Sequence, residues 1–123
     1  MKGQSRKIGL AAMKFTDKQI RKATITAARE LGATTPVDTG LARGNWQVTK
    51  GAPAQDVVGL RSLGSMLASA AAKLAGPIKG SLVYITNNLP YIGRLNAGSS
   101  TQAPSGFIEA ALRKAIAAAQ RMK

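Results

Sequence analysis

Ser81-Leu82-Val83-Tyr84-Ile85-Thr86-Asn87 is the stretch on which the fold turns. Its density of β-branched and aromatic residues marks a strand. Just upstream, Gly76-Pro77 stop a helix predicted over 62–75, whose apolar stripe is Leu63, Met66, Leu67, Ala70 and Leu74. Just downstream, a long connection over 88–105 carries Pro90 and Pro104, Gly93 and Gly98, and a Gly-Ser-Ser-Thr cluster. A connection of that length in a small domain is either functional or disordered. It leads into a last helix over 105–121, with Ile108, Leu112, Ala115, Ile116 and Ala119 on its inner face.

Further towards the N-terminus, Asn45-Trp46-Gln47-Val48-Thr49 reads as a second strand. Trp46 and Val48 share one face, and Gln47 and Thr49 share the other, which fits a strand half-buried through the tryptophan. Residues 51–55 form a loop, and Asp56-Val57-Val58-Gly59 is a candidate short returning strand. Thr35-Pro36-Val37-Asp38-Thr39-Gly40 is a turn from which Asp38 can cap a short helical turn through Leu41-Ala42-Arg43. Before it lies a helix opened by the capping box Thr16-Asp17-Lys18-Gln19, with Ile20, Ala23, Ala27, Ala28 and Leu31 inward and Gly32 and Pro36 ending it. Residues 1–15 show no period and are expected to be a flexible basic arm. The expected order is α-β-(β)-α-β-α: a small single α+β domain over 16–123, its helices packed on a short antiparallel sheet. Ile20, Leu31, Trp46, Leu67, Ile85, Ile108 and Leu112 are the expected buried side chains.

At 123 residues the chain supports one core. Much of its 45% hydrophobic content is alanine, and one Trp, two Tyr and two Phe are its aromatics, so the core is thin and assembly with other subunits is expected to add stability. The absence of cysteine excludes disulfide and thiolate sites, and the absence of histidine removes the usual general base. Asp17, Glu30, Asp38, Asp56 and Glu109 are isolated in sequence, with Asp17 and Glu109 explained by helix first turns. No phosphate-cradling glycine loop is present. The reading is therefore of a protein that is not an enzyme and needs no cofactor or metal. No apolar run reaches the roughly 20 residues of a membrane span, and the N-terminus makes a poor signal peptide because Lys14 breaks its apolar patch. A soluble product made in the cytoplasm, with no membrane partner, is expected.

A formal charge of +13 calls for an anionic partner, nucleic acid or acidic protein. Lys2, Arg6, Lys7, Lys14, Lys18, Arg21 and Lys22 concentrate that charge at the start of the chain, and Arg113, Lys114, Arg121 and Lys123 close it. The first helix also offers Arg29 for backbone contacts to a nucleic acid, although no DNA- or RNA-binding signature accompanies it.

Two segments at this spacing resemble the small neck and tail-completion proteins of tailed bacteriophages. The first is Thr35-Pro36-Val37-Asp38-Thr39-Gly40 with Leu41-Ala42-Arg43-Gly44-Asn45-Trp46; the second runs from Ile85-Thr86-Asn87-Asn88-Leu89-Pro90-Tyr91 through Gly98-Ser99-Ser100 to Gln102-Ala103-Pro104-Ser105-Gly106. With one helix before, one between and one after, the resemblance covers nearly everything beyond residue 16. Asn96 departs from it, because members often carry an acidic residue there. The resemblance implies a virion protein without catalytic residues, forming a homo-oligomeric ring, sixfold as a tail is, at the junction of head and tail. Its neighbours would be connector or head-completion proteins and tail-terminator or tail-tube proteins, with genomic DNA in the lumen. Pro36, Asp38, Thr39, Gly40, Asn87, Asn88, Pro90, Tyr91, Gly98, Ser100, Gln102, Ala103, Pro104 and Gly106 are its candidate assembly contacts. The rival expectation, from charge alone, is a basic DNA-binding protein of the nucleoid-associated kind.

Overall fold

A computed structural model describes residues 8–9, 15–35, 40–78, 82–96 and 106–122. Its elements are β1 (Ile8–Gly9), α1 (Asp17–Thr34), α2 (Leu41–Gly44), β2 (Gln47–Lys50), α3 (Leu63–Lys73), β3 (Val83–Thr86), α4 (Ile92–Asn96) and α5 (Phe107–Gln120). The strand read from Ser81–Asn87 is β3, and it is central: the antiparallel sheet has the order β1-β3-β2. Val48 pairs with Ile85 and Lys50 with Val83, while Ile8 pairs with Ile85 from the other side. Val48, Val83 and Ile85 are buried on one face, and Tyr84, Gln47 and Thr49 stay half-exposed on the other, the alternation of a sheet covered on one side. The domain is α+β.

α1 is the hub, packing most extensively on α5 and also on α3, α2 and β3. Its capping box is formed: Thr16 Oγ1 accepts from Gln19 N at 3.2 Å, and Thr16 N donates to Gln19 Oε1 at 2.9 Å. α5 runs opposite to α1, since Gln19 Nε2 reaches Ala119 O (3.1 Å) while Glu30 pairs with Lys114 (3.1 Å) further back along α5. Both contact faces are rich in alanine: Ala23, Ala27 and Ala28 on α1, and Ala111, Ala115 and Ala119 on α5, all buried. Such small side chains let two helices approach closely, and they concentrate the apolar area at Ile20, Leu31 and Ile108.

Trp46 is fully buried beside β2, and its indole Nε1 donates to Thr35 Oγ1 at 2.9 Å. Thr35 is the C-cap of α1, and both its hydroxyl and its N–H donate to Leu31 O. The tryptophan thus locks the end of α1 to the sheet.

Five features differ from the sequence reading. Asp56–Gly59 forms no strand, because Asn45 captures it: Val58 N donates to Asn45 Oδ1 (2.9 Å) and Asn45 Nδ2 donates to Val58 O (3.0 Å). The third strand comes instead from the expected arm, where Ile8–Gly9 completes the open side of β3, and Phe15 packs half-buried on the core; residues 1–7 and 10–14 lie outside the described residues. Gly32 does not stop α1; it is buried inside the helix, where an added Cβ would lie 2.9 Å from Met66 Cε and closer still to Leu63. The connection after β3 contains α4, anchored by buried Ile92. Finally, Leu67 and Leu112 are only partly buried, because α3 turns Met66, Ala70 and Leu74 inward and α5 turns Ile108, Ala111 and Ala115 inward.

Candidate functional site

The two loop motifs come together through a single side chain. Asn87, at the end of β3, is fully buried; its Nδ2 donates to Ala42 O in α2 at 3.0 Å, and its Oδ1 accepts from Leu89 N at 3.2 Å. The second bond ties the loop to the strand end, whereas the bond to α2 crosses to the other motif. With both polar groups engaged inside the chain, Asn87 shapes the motif from within rather than offering an exposed contact. Asn88, half-buried, donates to Ala54 O (2.8 Å) and Asp56 O (3.1 Å), and so fastens the 51–60 loop to the same body.

Gly40 precedes α2 with φ 74°, a left-handed conformation that glycine adopts without a Cβ penalty, and as the N-cap it has no side chain with which to cap the helix. Asp38, expected to provide that cap, lies outside the described residues, as do Pro36 and Thr39. Gly44 has a second role. A Cβ there would overlap the carbonyl oxygen of Arg61, so only glycine admits the backbone that crosses α2. In the second motif Pro90 is exposed and Tyr91 is half-buried against the core. Gly98, Ser100, Gln102, Ala103 and Pro104 lie outside the described residues.

The two ends of that segment are tied to each other. Gly106 N donates to Asn96 O at 2.7 Å, Ile108 N donates to Asn96 Oδ1 at 2.9 Å, and Asn96 Nδ2 donates to Glu109 Oε1 at 2.9 Å. Gly106 itself sits at φ 79° as the N-cap of α5. The departure at position 96 therefore has a local reason: an acid there would face the Glu109 carboxylate, whereas the amide donates to it.

Among the proposed polyanion contacts, Lys18 and Lys22 are exposed on α1. Arg29 joins them on one face, since 100° per residue brings the three within about 40° of each other. Arg21 does not belong to that face. Its guanidinium donates to Leu74 O (3.0 Å) and to Gly76 O, at the C-terminal end of α3 where carbonyls lack helical partners. Lys50 Nζ reaches Ala75 O (2.9 Å) in the same turn, and Asp17 Oδ2 accepts from Ile78 N (3.1 Å) beyond it. Lys2, Arg6, Lys7 and Lys14 lie outside the described residues.

A basic pocket went unnoticed in the sequence. Between β2 and α3 lies a cavity of about 210 Å³, walled by Val58 and Arg61 of the preceding loop, by Ser69 and Lys73 of α3, and by the outer edge of β2 at Gln47–Thr49. Arg61 Nε donates to Gly44 O and its Nη2 to Trp46 O (3.0 Å), and burial pushes its pKa below the ordinary arginine value. Ser69 and Lys73 stand four residues apart, on one face of α3. That spacing was legible, but Arg61 reaches the pocket only through the fold. Among the described residues no three His, Cys, Asp or Glu side chains gather as a metal site, and no helix is long and apolar enough to cross a membrane. No protein-family model matches this chain, and neither the curated proteins nor the solved structures give a match.

Proposed function

We propose that this chain is a structural virion protein of a tailed bacteriophage, without catalytic activity, which forms a homo-oligomeric ring at the neck and joins the tail to the capsid connector. The observation that carries the reading is the Asn87–Ala42 hydrogen bond. It unites two loop motifs from distant parts of the sequence into one body, as a joint between stacked rings requires of its contact loops. A charge of +13 suits both acidic neighbours and DNA in a lumen.

The rival reading, a free DNA-binding protein, is favoured by the exposed line of Lys18, Lys22 and Arg29. Binding to DNA alone does not separate the two, because so basic a chain releases counterions from any duplex. The discriminating experiment follows native mass in solution, presence in purified virions, and the joining of heads to tails. Under the neck reading, Asp38→Ala, or glycines in place of Gln102-Ala103-Pro104, leaves the monomer folded but blocks oligomers and infectious particles. Normal particle yield from those variants, together with loss of function in a Lys18→Ala/Lys22→Ala variant, would overturn the neck reading in favour of DNA binding.

A further inference from the structure

We infer that the pocket between β2 and α3 receives a glutamate side chain from an acidic partner protein, its carboxylate held between Arg61, Lys73 and Ser69. This site is separate from the loop motifs, and the inference stands on the pocket alone rather than on the neck reading.

Charge gives the first argument. Arg61 and Lys73 line the cavity, and among the described residues no carboxylate does. Asp56, on the same loop as Arg61, is exposed and makes no ion pair with either cation. Two backbone carbonyls hold the Arg61 guanidinium partly out of water without supplying a counter-charge. Burial already disfavours its charged form, and a bound anion would offset that cost.

The strand register gives the second. Gly51 N donates to Leu82 O at 2.8 Å. In an antiparallel ladder this makes Thr49–Tyr84 and Gln47–Thr86 the hydrogen-bonded pairs, so the N–H and C=O of Val48 point away from β3. They point to the side on which Trp46 O already accepts from Arg61, which is the pocket side. The cavity therefore offers a peptide N–H in addition to two cations and a hydroxyl, a donor set matched to a carboxylate.

Shape and composition choose the occupant. The Val48 and Val58 side chains give the polar cavity an apolar wall, which suits a carboxylate on an aliphatic stem better than the bare phosphodiester of a nucleic acid. A second copy of the chain is a poor donor. Its glutamates, Glu30 and Glu109, are engaged at home by Lys114 and Asn96.

The test is a ¹H–¹⁵N NMR titration of the full chain with N-acetyl-hexaglutamate, and in parallel with hexathymidylate. Lys73→Gln is the pocket variant, and Lys22→Gln removes the same charge from α1. Hexaglutamate is expected to shift the amides of Val48, Val58 and Ser69. Its affinity should fall about tenfold in Lys73→Gln, the loss of one charge-assisted hydrogen bond, and change less than about twofold in Lys22→Gln. Equal losses in the two variants, or shifts confined to α1, would mean diffuse attraction to a basic surface and overturn the proposal. Hexathymidylate shifting the same pocket amides with the same Lys73 dependence would also overturn it, making the occupant a phosphate.

Discussion

The hydrogen bond between Trp46 Nε1 and Thr35 Oγ1 offers a quantitative test of how α1 is fastened to the sheet. Trp46 is wholly buried and Thr35 nearly so, at 0% and 2% exposure, so water does not replace a lost partner. Thr35→Val keeps the shape of the side chain and keeps the Thr35 N–H bond to Leu31 O (2.9 Å), but it leaves the indole N–H buried without an acceptor. Stranding such a donor costs about 1–3 kcal/mol. Trp46→Phe removes the donor itself, at the cost of a cavity where the five-membered ring lay. In that background Thr35→Val should cost less than about 1 kcal/mol, because it strands nothing. Urea unfolding of the four chains, followed by far-UV circular dichroism, measures the coupling by a double-mutant cycle. Blue-shifted emission from the single tryptophan verifies that the indole stays buried in Thr35→Val. An equal cost for Thr35→Val beside Trp46 and beside Phe would refute the reasoning and reduce the bond to an incidental contact.

Other substitutions probe other parts of the structure. Trp46→Ala, judged by the same unfolding assay, should cost about 3–5 kcal/mol as a large aromatic leaves the core. Gly44→Ala should destabilise by about 1–3 kcal/mol, because the new methyl meets the Arg61 backbone rather than a yielding side chain. Thr86→Val should be neutral or stabilising in urea melts, because the Thr86 hydroxyl is buried without a partner among the described residues. Asn96→Asp sets a second carboxylate against Glu109 and should lower stability by about 1 kcal/mol or more at pH 7, with the deficit shrinking as the pH falls to about 4 and the mutually repelling carboxyls protonate. A deficit independent of pH would show that lost geometry rather than charge is responsible.

Local signals carried much of the fold. The capping box at Thr16–Gln19, the stop at Gly76-Pro77 and the β-branched run around Ile85 are each written in adjacent residues, and each element formed where those residues stand. Errors arose where a residue serves a distant neighbour. Gly32 looks like a helix stop in isolation, but its missing side chain makes room for Leu63 and Met66 of another helix. Val57-Val58 has strand composition, yet the amide of Asn45 engages its backbone first. Ile8–Gly9 is too short to show a period and pairs only because β3 has an open edge. The candidate site divides in the same way. Asn87 stood out in the motif, but Ala42, its link to the other motif, is an ordinary alanine. Arg61 was one of many cations until the fold brought Gly44 and Trp46 around it.

The clasp of Asn96 on Gly106, Ile108 and Glu109 bears on how this surface can evolve. It joins Asn96 directly to the start of α5 through bonds in which none of the intervening residues takes part. Lengthening a segment whose ends are already joined is cheap, about 0.6 kcal/mol for each doubling. Changes between Asn96 and Gly106 leave the residues that join α4 to the start of α5 untouched. The junction of the two helices and the sequence between them are then under separate constraints.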